Sequence, residues 1–187
     1  ALVRIAYENR QFDRAIAVLR RLVEMTEGND RLRTQLTLAY ALLGTGHDQE
    51  ADTVLKNALS QAPSGQLSGE VLYGLVRTAV RLGNMDEALD HFDRLWELPE
   101  DVQPEFSPKL LLRLEQEYFN RSRFGIGEEL CRKALELQDE GDRFPATYRL
   151  AEILNAVGRP QEAETVLREL GKTLAGRNGP APVNDRA

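Results

Sequence analysis

The chain has 187 residues, of which 42% are hydrophobic and 29% charged, and its formal net charge is −6. This is the composition of an ordinary globular protein, and the acidic balance argues against a nucleic-acid binder, which would carry a basic surface. No apolar run approaches the roughly 20 residues that a membrane-spanning helix needs. Cys131 is the single cysteine, which excludes a disulfide or a cysteine-based zinc site within this chain.

The chain begins at Ala1 rather than at a methionine, already inside a helical pattern and with no signal-peptide pattern ahead of it. We therefore expect a fragment of a longer protein, from which any targeting segment would be missing. Arginine outnumbers lysine several-fold, which is typical of a GC-rich bacterial gene. The compartment stays open between the bacterial cytoplasm and the periplasm.

Apolar residues recur at three- and four-residue spacing through almost the whole chain, which predicts amphipathic helices rather than strands. Turn-forming residues separate the helices at regular distances. Ser107 followed by Pro108 predicts a helix start, as does Pro145. Asn84 and Glu87 have the spacing of a capping box, with Asn84 as the cap.

The helical segments are copies of one another. A small residue recurs at separations of 36, 37, 39 and 36 residues, at Ala15, Ala51, Ala88, Gly127 and Ala163. Four positions later stands a core residue, at Leu19, Leu55, Phe92, Cys131 and Leu167. A helix pair of this size cannot bury its own apolar face, so the copies are expected to stack.

The helix that precedes each of these segments repeats as well. It opens with a leucine, at Leu36, Leu75, Leu114 and Leu150, and has an apolar or aromatic residue four positions on, at Tyr40, Ala79, Tyr118 and Leu154. We expect left-handed residues to end these helices, at Gly44, Gly83, Ser122 and Gly158. This alignment gives the second copy two extra turn residues, Thr45 and Gly46. In the helical-repeat family that this pattern resembles, named below, a small residue is preferred at the helix crossing where this chain has Glu115, which implies looser packing or a rotated helix.

The combined spacing of leucine, aromatic, glycine, alanine and aromatic residues is clearest in LYGLVRTAVRLGNMDEALDHFDRLWELP (72–99) and resembles tetratricopeptide repeats. The resemblance covers residues 1–174 in about five repeats, at about 1–28, 29–63, 68–99, 107–140 and 144–174, and leaves 175–187 as a flexible tail. It implies an all-α fold, a right-handed α-solenoid of stacked antiparallel helix pairs, in a fragment of a longer bacterial protein of this family.

In such an array the first helix of each repeat lines the concave groove. Basic residues at these positions outnumber acidic ones, with Arg4, Arg31, Arg77, Arg81, Lys109, Arg113 and Arg149 against Glu8, Glu70 and Glu152. The predicted partner-binding groove comprises Arg77, Arg81, Arg113, Lys109, Tyr73, Phe119, Asn120, Tyr148, Arg149 and Gln116, with Tyr7, Gln35, Leu38 and Asn155 as further lining residues. Guanidinium groups suit carboxylates and aromatic rings suit apolar side chains. The alternative is that arginine is simply the common solvated residue of this chain.

One segment crowds acidic residues and a histidine into eight positions, at Asp86, Glu87, Asp90, His91 and Asp93. A metal site, an acid/base cluster and a solvated helix face are the three alternatives. The intervening apolar residues claim the buried side of the helix, and acids in a first turn suit the helix dipole, so we expect the solvated face.

Nothing in the sequence predicts catalysis. No phosphate-binding loop, metalloprotease motif or nucleophile elbow is present, and Cys131 stands at a core position of its repeat. We therefore expect no enzyme activity, no cofactor and no metal.

The resemblance implies a non-enzymatic module that holds an acidic or extended peptide segment of a protein partner in its groove. Chaperone-binding relatives hold a C-terminal carboxylate with a lysine and asparagine clamp, but the matching residues here, Arg4, Gln35, Lys109 and Arg113, lack the asparagines. We expect neither nucleic acid nor direct membrane insertion. The alternative function is a structural scaffold that self-associates, within a bacterial envelope assembly for polysaccharide export, secretion or pilus biogenesis.

Overall fold

A computed structural model describes residues 12–62, 66–137 and 143–177. Within these ranges the protein has nine α-helices, one 3-10 turn (Glu100–Val102) and no strand. The helices are α1 (Phe12–Met25), α2 (Gly28–Gly44), α3 (Asp48–Gln61), α4 (Gln66–Leu82), α5 (Met85–Trp96), α6 (Pro108–Asn120), α7 (Phe124–Glu136), α8 (Phe144–Ala156) and α9 (Pro160–Arg177). The predicted all-α fold is confirmed.

The helices belong to two compact units, Ala1–Glu105 and Phe106–Ala187. In the first unit, α1 to α5 pack in consecutive order, and the first helices of two repeats, α2 and α4, also contact each other. In the second unit, α6 to α9 pack in consecutive order. Each unit buries its small and large apolar residues between neighbouring helices, as stacked helix pairs should.

Some predictions fall outside the described residues. The first helix of the opening repeat, with Arg4, Tyr7 and Glu8, lies there, as does the part of the predicted tail from 178 onward. A single array over 1–174 stays a prediction.

Four first helices end in the same way, with a residue in the left-handed conformation. The residues are Gly46 (φ 82°), Gly83 (φ 77°), Ser122 (φ 57°) and Gly158 (φ 79°). In each case the next N–H reaches back to a carbonyl five residues earlier, as from Asn84 to Ala79 at 2.9 Å. This is the Schellman ending, and it confirms the predictions for Gly83, Ser122 and Gly158.

The same geometry corrects the alignment of the second repeat. Gly46, not Gly44, is the left-handed residue, and the His47 N–H bonds the Leu42 carbonyl at 2.9 Å. Leu38 and Leu42 therefore hold the places that were predicted for Leu36 and Tyr40, and the second repeat has no extra turn residues. Tyr40 then occupies the position of Arg77 in the next repeat.

The prediction that the Asn84 side chain caps α5 in a capping box is wrong. Asn84 precedes α5 but makes no side-chain cap hydrogen bond, and neither does Ser107 ahead of α6. Proline does stand in the first turn of α6 and of α8, as predicted. These helices begin with a preset backbone and not with a side-chain cap.

The crossing predicted to be loose is instead tightly filled. Glu115 of α6 is fully buried and lies beside Gly127 of α7, where a Cβ atom would be in ordinary contact with the Glu115 Cγ at 3.9 Å. The buried carboxylate accepts two hydrogen bonds from Arg149 of α8, both at 2.8 Å.

The connection after α5 folds back onto α4. The 3-10 turn packs against α4, and a Cβ atom on Gly69 would lie 2.3 Å from the Val102 carbonyl oxygen. The Gln103 side chain fixes the segment by donating to the carbonyls of Trp96 and Leu98, at 3.2 and 2.7 Å.

Candidate functional site

The first unit presents one continuous face of its two contacting first helices, which we name the α2–α4 face. Its residues follow helical spacing on each helix, with Arg33, Leu36, Thr37 and Tyr40 on α2 and Leu67, Glu70, Tyr73 and Arg77 on α4. The face includes two of the ten predicted groove residues, Tyr73 and Arg77.

Arg77 is the central cation of this face. Its guanidinium carbon lies 5.4 Å from the ring centroid of Tyr40 and 5.8 Å from that of Tyr73. Arg77 is half-buried and Tyr73 is only 9% exposed, so the two rings form the walls that hold the guanidinium. No carboxylate of the described residues is within ion-pair distance of Arg77. A partly desolvated cation is thus left without a counter-charge.

A surface pocket of about 310 Å³ lies beside this cation. Leu36 and Leu67 form its apolar floor, Arg33 and Glu70 stand at its rim, and Thr37 and Tyr40 complete it. Tyr40 is common to both features, since one ring lines the pocket and also contacts Arg77.

The environment of Tyr40 changes the pKa of its hydroxyl group. Burial raises the pKa of Tyr40, the positive charge of Arg77 acts in the opposite direction, and Glu70 raises the pKa again. Tyr40 is therefore a neutral phenol at physiological pH, which can donate or accept a hydrogen bond at the rim of the pocket.

The α2–α4 face gains no free side chain from Arg81, Gln35 or Leu38, which were also predicted to line the groove. Arg81 is exposed, but its Nε bonds Asp48 of α3 at 2.9 Å, so its charge is compensated. Gln35 and Leu38 were assigned to the groove with the shifted alignment and are wrong, because both are buried. Gln35 bonds Asn57 of α3 at 2.8 Å.

Sequence reasoning missed Arg33, Leu36, Thr37, Tyr40 and Leu67 as lining residues. Tyr40 was assigned to stacking because the alignment of the second repeat was anchored on Gly44. The signal that could have found it is the spacing of 37 residues from Ala51 to Ala88, which is also the spacing from Gly46 to Gly83.

The second unit has its own first-helix face on α6 and α8. Lys109 and Arg113 are exposed and have no described carboxylate partner, and Tyr148 is 50% exposed and stacked on Phe144. Gln116 donates to Asn120 on the same face at 3.1 Å. These positions agree with predicted partner-binding residues, although their role stays a prediction.

Arg149 differs from the other predicted cations. Besides its two bonds to Glu115 it pairs with Glu152 and lies 4.8 Å from the ring centroid of Phe119. Its charge is therefore compensated inside the protein, and the sequence could not show this because Glu115 lies 34 residues away.

Among the described residues, the acidic segment of α5 assembles no group of three or more side chains that could hold a metal ion. Asp86 and Asp90 are exposed, in line with the solvated face. His91, in contrast, is buried, and neither of its ring nitrogens has a hydrogen-bond partner. Its neighbour Glu87 lies 3.6 Å from the His91 Nε2 and binds Lys56 of α3 at 2.6 Å.

This burial predicts a pH dependence of stability. Burial has the largest effect and lowers the pKa of His91, and Glu87 raises it less strongly. Of the smaller effects, Arg94 and Lys56 lower the pKa and Asp90 raises it. The unfolded chain then takes up the proton more readily, so the stabilisation is present above the unfolded pKa of about 6.5 and is lost as the pH falls below it.

Urea unfolding at neutral and at mildly acidic pH measures this effect. Wild type should lose more stability on acidification than His91→Gln, since glutamine does not titrate. An equal loss in both proteins would show that His91 does not contribute.

Cys131 lies in the core of the second unit. The thiol is fully buried, and burial raises its pKa to about 12. At neutral pH it is a protonated core residue, as predicted from its place in the repeat.

Comparison with known proteins fits this arrangement. A tetratricopeptide-repeat family model matches residues 36–100, which span α2 to α5, and a second tetratricopeptide-repeat model matches residues 145–169, in α8 and α9. Residues 36–100 and 145–169 therefore match tetratricopeptide repeats. A search of curated proteins found no significant match.

Solved structures of repeat proteins share the fold. A crystal structure of MamA is 16% identical, with a TM-score of 0.68 over 95% of this chain and 96% of that chain. MamA from Desulfovibrio magneticus RS-1 is 16% identical, with a TM-score of 0.65 over 95% and 93%. The TPR-like repeats of a kinesin-light-chain-like protein from Podospora anserina are 21% identical, with a TM-score of 0.62 over 95% and 94%. At these identities the likeness shows the fold alone.

The tetratricopeptide-repeat matches and the repeat-protein fold support a protein–protein interaction scaffold. Proteins of this kind are in general non-enzymatic. In the described helices there is no segment of the length and hydropathy needed to cross a membrane.

Proposed function

We propose that this chain is a non-enzymatic module whose α2–α4 face binds an acidic, extended segment of a partner protein. The observation that carries the proposal is the half-buried guanidinium of Arg77, held between Tyr40 and Tyr73 without a described counter-charge.

Besides its contacts with the two rings, Arg77 hydrogen-bonds the Tyr40 side chain, and a guanidinium has five N–H donors, so donors remain for a ligand. A carboxylate can accept two parallel hydrogen bonds from one guanidinium. Such a pair is stronger in a partly desolvated site than at a fully exposed one, so a partner carboxylate would supply the missing charge where it is most effective.

Charge on the first-helix faces supports an acidic partner. The α2–α4 face has two cations, Arg33 and Arg77, against the single carboxylate of Glu70. The α6–α8 face, considered by itself, adds exposed Lys109 and Arg113. This local excess of positive charge occurs in a chain of net charge −6, which disfavours nucleic acid as the partner.

Binding to an acidic peptide tests the proposal. A fluorescent, acetylated and amidated peptide with a run of glutamates in a Gly/Ser background should bind with a Kd on the order of micromolar, and the matching glutamine peptide should not. Raising the salt concentration from about 0.1 M to about 1 M should weaken binding strongly, because the Debye length falls from about 10 Å to about 3 Å. Equal binding of both peptides would contradict the proposal.

Self-association is a second candidate function, and one observation favours it. Leu167 of α9 is 39% exposed, whereas the residues at its position in the second, third and fourth repeats, Leu55, Phe92 and Cys131, are fully buried. Within their own units, Leu55 and Cys131 pack in clusters that include the first helix of the following repeat, so a repeat of a second copy could cover Leu167.

Sedimentation velocity over a concentration series tests this second candidate. Wild type should shift toward a dimer as concentration rises, and Leu167→Glu should stay monomeric, because a charge on the contact would have to be buried. A monomer at every concentration for both proteins would rule self-association out.

A further inference from the structure

The pocket on the α2–α4 face and the Arg77 cation form one site because they share a residue. Tyr40 lines the pocket together with Leu36 and Leu67, and the same ring contacts the guanidinium of Arg77. A ligand that reaches Arg77 over this ring therefore has an apolar cavity directly beside its carboxylate.

We propose that the partner segment is recognised at two adjacent points, with its carboxylate bound by Arg77 and a neighbouring aliphatic side chain seated between Leu36 and Leu67. This inference rests on the proposed function and adds to it the chemistry of the bound residues.

The anion that fits is a carboxylate. One guanidinium faces the site between the two rings, and it offers the paired donors that a carboxylate uses. Glu70, close enough to raise the pKa of Tyr40, disfavours a ligand with a second negative charge such as a phosphate. Its oxygens can instead accept a main-chain N–H from an extended peptide.

The neighbouring side chain that fits is aliphatic and of leucine size. Two leucines line the pocket, together with Thr37 and Tyr40. Leu36 is almost fully buried, so it forms a fixed floor. The charged groups, Arg33 and Glu70, are at the rim and have opposite signs, so a charged side chain gains little by entering.

Titrations with four short peptides test the inference, using ¹⁵N-labelled protein and the shifts of the α2 and α4 amides. The reference is acetyl-Ser-Glu-Leu-Gly-amide. In the second peptide glutamine replaces glutamate, and in the third serine replaces leucine. The fourth, acetyl-Ser-Gln-Leu with a free C terminus, carries its carboxylate on the main chain.

The reference peptide should bind most tightly of the three amidated peptides. Loss of the carboxylate should raise Kd roughly ten- to hundredfold, as for other hydrogen bonds to charged groups. Loss of the leucine side chain should raise Kd roughly tenfold, which corresponds to burial of one aliphatic side chain. If the fourth peptide binds like the reference, the partner supplies a C-terminal carboxylate, and if it binds like the glutamine peptide, the partner supplies a side chain of Asp or Glu.

Two protein variants separate the two points. Thr37→Trp fills the pocket from an exposed helix position and should make the leucine and serine peptides equal, while the preference for glutamate over glutamine persists. Arg77→Gln should abolish that preference and keep the preference for leucine. Thermal unfolding followed by circular dichroism checks that both variants are folded.

Equal affinity of the leucine and serine peptides for the wild-type protein would overturn this inference and leave the proposed function standing. Equal affinity of the glutamate and glutamine peptides would overturn both.

Discussion

Arg149→Ala is expected to lower the free energy of unfolding by about 3–5 kcal/mol, the usual effect of removing one partner of a buried ion pair. Glu115 is fully buried and accepts two hydrogen bonds from Arg149. Without the arginine its buried oxygens would lose both of these hydrogen-bond donors. A loss of this size is a large fraction of the stability of a typical domain.

The reverse change should be milder. Glu115→Ala restores the small residue that this crossing usually has, and the Arg149 left behind is 19% exposed and still pairs with Glu152. The double variant Glu115→Ala/Arg149→Ala should recover most of the stability lost in Arg149→Ala, which keeps the prediction testable if the single variant fails to fold.

Urea unfolding of the three variants measures the coupling between these residues. The matched control is Arg168→Ala, because Arg168 and Glu164 form an exposed ion pair of the same kind on α9. It should leave the unfolding midpoint almost unchanged. If Arg149→Ala and Arg168→Ala were alike in stability, the buried pair would not have the structural role assigned to it.

Gly69→Ala is expected to destabilise the protein by about 1–3 kcal/mol, the usual range for overpacking. A Cβ atom there would lie 2.3 Å from the Val102 carbonyl oxygen, and a backbone atom cannot rotate away as a side chain can. The connection after α5 would have to move off α4.

Gly125→Ala is the matched control for this effect. Gly125 is also helical, but a Cβ atom there would meet nothing within 4 Å, so alanine should stabilise α7 by roughly 0.5–1 kcal/mol. Thermal and urea unfolding should therefore give opposite signs for the two variants. The same sign in both would contradict the close approach of Val102 to α4.

Local rules in the sequence predicted much of the fold. Small residues at Ala51, Ala88 and Gly127 identified the second helices, because a close helix crossing tolerates little else at that point, and all three are buried. Gly83 and Gly158 identified helix ends because a left-handed backbone favours glycine.

The register of the second repeat could not be fixed in the same way. Apolar or aromatic residues stand at 36, 38, 40 and 42, so two alignments satisfy the leucine pattern, and glycines at 44 and 46 suit either. Only the backbone conformation distinguishes Gly46 from Gly44. The error mattered, because it removed Tyr40 from the predicted site.

The sequence also could not show which arginines are paired with carboxylates of other helices. Arg77, Arg81 and Arg149 looked equivalent in the sequence, because each stands on a first helix near a predicted groove. Their states depend on carboxylates from other helices, Asp48 for Arg81 and Glu115 for Arg149. Such pairs join residues more than thirty positions apart, where periodicity gives no information.

This difference among the arginines gives the most direct measurement of the central claim. The affinity of the glutamate peptide should be determined for wild type, Arg77→Gln and Arg81→Gln, two variants that make the same change one turn apart on α4. Arg77→Gln should raise Kd roughly tenfold or more, because it removes the uncompensated guanidinium, and Arg81→Gln should change it little. Equal losses in both variants, or no loss in Arg77→Gln, would contradict the assignment of Arg77 as the carboxylate-binding residue.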